Sequence, residues 1–259
     1  MSFFKNNLKQ FKDINLNDTC YIFGDGVSMK SYKLKYFNNI PSICCGKIFL
    51  RSDFNFLNTY YYTIPEPRLF LPKIFQKRQY IIDNQIVNKL LKKKFSELND
   101  INFFLNVTNS PSISGSNINY IHRITSKMKR EVKNTNNDPF SGSFITTLSL
   151  AYHFGFKKVY LIGFDSFTQS AFTDIRWYEY GKLKNSYEGL KIKNSLIDLY
   201  KNKMDITSVL IEKKESINFK SISYEEFTGE SPVYQENHKL TSREHLKVLS
   251  TQPSYNIFK

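Results

Sequence analysis

The residues best placed to do chemistry fall in a few short segments. Gly24-Asp25-Gly26-Val27-Ser28 follows the apolar run Thr19–Phe23 and opens a helix-like pattern. Glycines at a strand-to-helix turn let backbone N–H groups approach a phosphate, and a helix start favours its negative charge. The same residues also suit a plain turn, because they lack the third glycine of a dinucleotide fingerprint and the Gly-Lys-Ser/Thr of a Walker loop. Ser141-Gly142-Ser143 is a second helix start, equally suited to simple capping or to presenting a hydroxyl and N–H groups to an anion. Asp165 ends Gly163-Phe164-Asp165 after the apolar run Val159–Ile162. A carboxylate there can accept hydrogen bonds from ribose hydroxyls, or serve only as a turn former.

Among the four histidines, His153 lies near the end of a helical pattern and reads as structural, and His122 sits in a basic, aromatic stretch with no evident role. His238 and His245 lie in a polar tail, and either can serve as a general base near neutral pH. Seven residues apart, they share a helix face, but no Cys or acidic pair completes a metal site. No Ser-His-Asp order, nucleophile elbow or paired-carboxylate motif is legible. The chain also has no Asp-x-Asp, the usual metal-holding signature of nucleotide-sugar transferases, so metal-independent chemistry with no cofactor is expected.

These residues need a scaffold. Ser42–Phe49, Tyr60–Ile64 and Ile101–Val107 are β-rich runs, and Pro65 and Pro67 stop the second. Ile86, Val87, Leu90, Leu91 and Phe95 fall at helical spacing with Lys92-Lys93-Lys94 opposite. Phe144, Leu148, Ala151 and Phe154 make another apolar helix face that Gly155 can terminate. A helix leading into a buried strand, with polar residues at the strand's C-terminal end, is the arrangement that holds ligands in open α/β sheets. Asn185–Glu215 reads as mostly helical, Ile217–Ile222 as a last strand and Ser231–Lys259 as an irregular polar tail. Turn-rich stretches bracket Tyr120–Lys133, so 109–138 is a candidate lid or inserted helix. The expected fold is α/β: one Rossmann-like domain over 1–259, with a mainly parallel sheet flanked by helices.

Composition agrees with a globular chain. An apolar fraction of 41% over 259 residues, with 23 Phe and 17 Tyr, supplies a core and excludes wholesale disorder. Gly and Pro together are too few, at 10 and 8, for a collagenous or linker-like chain. The three cysteines, Cys20, Cys44 and Cys45, form no disulfide framework and fit a reducing compartment. No run reaches the ~18 uncharged apolar residues of a spanning helix, and MSFFKNNLKQFKD lacks an apolar signal core. A cytoplasmic protein is expected. Its net charge of +14 follows largely from a chain-wide Lys, Asn, Ile, Phe and Tyr bias and reads as a solvated lysine face. An anionic membrane surface or a phosphorylated ligand would also be attracted. Nucleic acid is not expected, since the runs at Lys92–Lys94 and at Lys127, Lys129 and Arg130 lack interleaved glycines and aromatics.

Tyr21–Ser31 and Pro139–Ser166 together resemble two blocks of the bacterial lipooligosaccharide sialyltransferases, glycosyltransferase family 42, and of related surface-polysaccharide proteins. The first block is a strand followed by a Gly-x-Gly-Pro-Ser turn. The second is a Ser-Gly helix start, then Gly-Tyr/Phe-Lys and a strand ending in Gly-x-Asp. The resemblance implies a Rossmann-like domain with a smaller lid, binding a CMP-activated nonulosonic acid without a metal and transferring it to a glycan or lipid-linked glycan. It implies that Gly24, Asp25, Gly26 and Ser28 contact the cytidine phosphate, that Ser141 and Gly142 face the sugar carboxylate and phosphate, and that Gly163 and Asp165 hold the nucleoside. Departures are visible as well. Asp25 replaces an Asn, Val27 a Pro, and Cys45-Gly46 stands where a phosphate-contacting Asn is expected. An acid beside a phosphate is unfavourable unless it turns away or is bonded to a hydroxyl. Phe167 occupies a tyrosine position, so Tyr178 or Tyr180 would supply the hydroxyl for the leaving phosphate. Tyr187-Glu188-Gly189 holds no histidine, which leaves His238 as the candidate base. Association with the inner membrane surface and a homo-oligomer are compatible with this reading. Alternatives are a pterin diphosphokinase-like phosphotransferase, which shares the glycine turn but uses metal and ATP, and a catalytically inactive binding member of the same fold.

Overall fold

Short, almost continuously buried runs such as Thr19–Phe23, Ser42–Cys45 and Lys158–Ile162 belong in a sheet covered on both faces, and that is where they lie. The structure, a computed structural model, describes residues 8–14, 17–71, 83–121, 140, 142–165, 176–178, 195–212 and 218–250. Its strands are β1 (Thr19–Phe23), β2 (Ser42–Cys45), β3 (Thr59–Ile64), β4 (Asn102–Asn106), β5 (Ile118–Ile121), β6 (Lys158–Ile162), β7 (Asp205–Leu210) and β8 (Lys220–Ser223). They form one sheet in the order β5-β4-β3-β2-β1-β6-β7-β8, and all the pairings are parallel. This is the expected α/β, Rossmann-like architecture.

Helices α1 (Asp83–Glu97), α2 (Gly142–Phe154), α3 (Ser195–Lys203), α4 (Tyr224–Thr228), α5 (Asn237–Leu240) and α6 (Arg243–Ser250) flank the sheet. Alternation along β1 divides the core. Cys20 and Ile22 join α2, with Phe144, Leu148 and Phe154, while Tyr21 and Phe23 face the opposite layer with Phe37, Leu91, Phe95 and Leu249. Gly155 ends α2 with φ +96°, and the Phe156 N–H donates back to the Ala151 carbonyl at 3.2 Å. His153 is buried and bonded to the Leu8 carbonyl at 2.6 Å, the structural role read for it.

Several expectations need correction. Asn185–Glu215 is not one helical stretch, because α3 is followed directly by β7, Asp205–Leu210, with no glycine or proline to mark the change. The first part of the candidate lid carries the strand Ile118–Ile121 at one edge of the sheet, and 122–138 lies outside the described residues. The tail carries α5 and α6. Gly24–Ser28 opens not an α-helix but a five-residue 3-10 turn, Val27–Ser31, every residue of which is buried.

Strand order reverses at β1: chain order runs outward to β5 and then resumes on the other side at β6. Phe23 is level with Cys44 on one flank and with Ile162 on the other. Gly24 and Gly163 therefore leave the sheet together at the reversal, the place where open α/β sheets bind ligands, and Gly46 follows the last residue of β2.

Phe154 is fully buried with its ring 4.4 Å from Tyr61 and 5.4 Å from Phe104, locking α2 to the sheet beneath this edge. Phe154→Ala is expected to lower unfolding free energy by about 3–5 kcal/mol in equilibrium urea titrations. A loss below ~1 kcal/mol would show that this ring is not the anchor of α2.

Candidate functional site

Two turns meet at the reversal through their backbones. The Gly24 N–H donates to the Ile162 carbonyl at 2.9 Å and the Gly26 N–H to the Gly163 carbonyl at 2.7 Å. A Cβ on Gly26 would lie 2.7 Å from that carbonyl and would also run into Asp165 Oδ2, so the approach requires glycine. Asp165 itself is buried, and its Oδ2 accepts the Ser28 N–H at 2.8 Å. It ties the second turn to the first, committing one oxygen to the protein's own backbone. The Ser28 hydroxyl is fully buried beside the Tyr32 phenol but makes no ordinary hydrogen bond among the described residues.

Asp25 turns away from the open edge, as an acid at that position has to. Its Oδ1 and Oδ2 accept the Lys47 N–H at 2.9 and 2.8 Å, and Oδ1 also accepts the Trp177 indole N–H at 3.2 Å. The residue is half-buried, but its carboxyl is enclosed by Gly46, Lys47 and Trp177. Gly46 has φ +70°, and a Cβ there would collide with the carboxylate. Burial pushes the Asp25 carboxyl above its ordinary value, while Lys47, Arg176 and the Trp177 hydrogen bond pull it down.

A short segment roofs this turn. Arg176 bridges Gly26 in antiparallel fashion, and the Trp177 N–H donates to the Asp25 carbonyl at 2.9 Å. Trp177 is fully buried and Tyr178 nearly so. Lys47 Nζ donates to the Tyr178 hydroxyl at 3.1 Å and lies 4.9 Å from the centre of its ring. The Arg176 guanidinium is 6.0 Å from the same ring. Tyr178 is thus beside the glycine turn.

The N-terminus of α2 reaches the same edge. Gly142 is exposed, with open space around its α-carbon. Ser143 Oγ donates to Glu66 Oε1 at 3.3 Å, and the Glu66 carbonyl accepts from Asn109 Nδ2 at 3.0 Å. Glu66 keeps an exposed face. The atoms crowded around its carboxyl still push its pKa up, against the pull of its own N–H, Lys47 and Ser143.

The structure therefore gathers Gly24, Asp25, Gly26, Ser28, Gly163, Asp165 and Tyr178 around one edge and brings Gly142 to it. Ser141, Tyr180, Phe167, His122 and Tyr187–Gly189 lie outside the described residues. His238 is exposed on α5, which docks beside this region through the Ser52 N–H to the Leu240 carbonyl at 2.8 Å. His245 instead faces Thr241 Oγ1 at 3.2 Å. Among the described residues, no group of three or more His, Cys, Asp or Glu is arranged to hold a metal ion.

Sequence reasoning missed Lys47, Glu66, Arg176 and Trp177. A signal existed for Lys47, because Gly46-Lys47 follows β2 just as Gly24-Asp25 follows β1. An open depression of about 650 Å³, lined by Lys201, Met204, Asp205 and Phe219, lies where β7 begins, at the opposite edge of the sheet. No family model matches the chain, and neither does any curated protein or solved structure.

The Asp25 enclosure has a measurable signature. Its folded pKa stands above the ordinary 3.8, so protonation favours the folded state. That contribution is complete below 3.8 and is lost as pH rises through the folded value. The stability of the native chain minus that of Asp25→Asn is expected to grow as pH falls from neutrality, measured by urea unfolding at each pH. A difference that shrinks on acidification would place the carboxylate in a stabilising ionised state instead.

Proposed function

We propose that the chain is an inverting, metal-independent glycosyltransferase of the sialyltransferase type. It moves a sialic-acid-like sugar from a CMP-activated donor to a surface glycan or lipid-linked glycan acceptor. The observation that carries this reading is the meeting of Gly24–Ser28 and Gly163–Asp165 at the strand-order reversal. These are the two segments whose sequence resembles the donor-binding blocks of that family.

The chemistry is a single displacement. A base removes the proton of an acceptor hydroxyl, the oxygen attacks the anomeric carbon, and CMP departs with the bonding electrons. Most of the acceleration in such a step comes from orientation and from donors aimed at the developing charge. The Gly24, Gly26 and Ser28 N–H groups are already bonded within the protein, so the Tyr178 hydroxyl, beside the glycine turn, is the donor proposed for that role. His238, on α5, is the proposed base. The lysine-rich surface suits an anionic membrane carrying a lipid-linked acceptor. Among the described residues, no helix is long and apolar enough to cross a membrane.

Thermal unfolding against CMP, UDP, GDP, ADP and ATP, each with EDTA and with magnesium, tests the reading. At ~100 times its dissociation constant, a ligand stabilises the fold by about 2.7 kcal/mol, a shift of roughly 5–10 °C in a chain of this size. A CMP-selective shift that survives EDTA is expected, together with turnover of a CMP-sugar donor that drops about 10²–10⁴-fold in His238→Ala. A shift with ATP and magnesium alone would transfer the site to a phosphotransferase. CMP binding without turnover of any CMP-sugar would make the chain a non-catalytic binder.

A further inference from the structure

We propose that Lys47 and Arg176 form a cationic clamp for the phosphate of the bound nucleotide, with the Tyr178 ring as the platform both cations rest on. The inference rests on the nucleotide reading above and names the charge that reading lacks. A departing CMP gains negative charge at its phosphate, and where no metal neutralises it, side-chain cations and N–H groups have to do so.

Lys47 and Arg176 come from distant parts of the chain and are anchored on the same turn. Both Asp25 carboxylate oxygens hold the Lys47 backbone N–H, so its α-carbon is fixed one residue beyond Gly46 at the edge where Gly24 emerges. Arg176 is fixed by its bridge to Gly26, and the Asp25 carbonyl and carboxylate hold the next residue, Trp177. The two side chains then converge on one aromatic ring, at 4.9 Å for the ammonium and 6.0 Å for the guanidinium. An ammonium has only donors to offer. Tyr178 Oη must therefore be the acceptor of the 3.1 Å bond, which directs its own O–H away from Lys47.

An aromatic platform holds cations close together without neutralising them. Asp25 and Glu66 are carboxylates within electrostatic reach of Lys47. Asp25 points its oxygens at backbone and indole N–H groups, and Glu66 takes the Ser143 hydroxyl at α2. Both cations therefore stand beside the turn in which Gly24 and Gly26 meet the Ile162 and Gly163 carbonyls. A monophosphate has the charge and size to complete the cluster. The guanidinium supplies a fork of donors and the ammonium a point charge.

The test compares CMP with cytidine, which lacks only the phosphate, by titration calorimetry on the full chain. Lys47→Met keeps the backbone N–H that Asp25 holds, so its unliganded melting temperature should stay near that of the native chain. It is expected to weaken CMP by roughly 10- to 100-fold, the loss of one charge-assisted contact, and to leave cytidine affinity unchanged. Lys47→Arg should recover part of the loss. Arg176→Gln is the second variant, with the same selective effect expected. Undiminished CMP affinity in both variants, or equal weakening of CMP and cytidine, overturns the clamp while the nucleotide reading stands. A native chain that binds cytidine as tightly as CMP also overturns it. A native chain that binds neither overturns the reading and the clamp together.

Discussion

The C-terminal edge of the sheet depends on two backbones touching with no side chain between them. β1 and β6 are neighbours at the strand-order reversal. In a doubly wound sheet the connections on either side of such a reversal leave in opposite directions, so a crevice opens there. Here the chain closes the floor of that crevice with main chain, through the Gly24 and Gly26 N–H groups and the Ile162 and Gly163 carbonyls. A methyl group on Gly26 would push the turns apart and displace the Asp165 carboxylate. Every other feature of the site is fastened to this contact.

The fastening is polar and mostly buried, and the carboxylates do it. Asp165 holds the Ser28 amide, and Asp25 holds Lys47 and Trp177. Asp53 and Arg51 extend the network below. The buried Arg51 guanidinium reaches the Met29 carbonyl, donates to the Tyr32 carbonyl at 2.9 Å and pairs with Asp53 at 2.8 Å, fixing the far end of the Val27–Ser31 turn. Buried charges of this kind are stable only when their hydrogen-bonding capacity is used. That requirement turns the acids inward onto N–H groups. A site that looks acidic in sequence, with Asp25 in the middle of its glycine turn, thereby has that acid bonded to the Lys47 amide and the Trp177 indole.

Much of the scaffold was legible because its signals are local. The runs at Thr19, Ser42, Thr59, Asn102 and Lys158 are short, β-rich and bounded by Gly, Pro or Asn, and helix α2 carries its own apolar face and its Gly155 stop. β7 was hidden because Asp205–Leu210 follows a genuine helix without a glycine or proline to mark the change. β5 was hidden because Ile118–Ile121 is four residues long and sits beside a cluster of turn formers. Part of the site was legible for the same reason, since the glycine turns are contiguous in sequence. Glu66 and Arg176 were not, because nothing local distinguishes a charged residue that ends at a sheet edge from the many that face water, and Lys47 had only its place after β2 to mark it. Their significance comes from parallel register, which sets β2 and β3 level with β1, and from a bridge between residues 150 positions apart.

Under the proposed reading, the short turn after Gly26 alters where the attraction for the donor phosphate would come from. The sequence reading drew on a helix start, whose aligned peptides concentrate about half a positive charge at the N-terminus. Val27–Ser31 is a 3-10 turn of five residues, too short to accumulate such a dipole and already giving the Ser28 N–H to Asp165. Helix α2, with 13 residues, does end at this edge, but Ser143 at its start is bonded to the Glu66 carboxylate, which partly offsets its positive end. Under the proposed reading the attraction is then discrete and comes from the two cations on the Tyr178 ring. Discrete charges are more position-sensitive than a helix end, because Coulomb attraction between close groups in a partly desolvated crevice falls quickly with misplacement. That sensitivity gives a physical reason for Asp25 to be an acid rather than an amide. The Asp25 side chain accepts from the Lys47 amide with both oxygens while also holding the Trp177 indole, which an amide with its single acceptor oxygen would not reproduce, and so it joins both cation-bearing segments to the same turn.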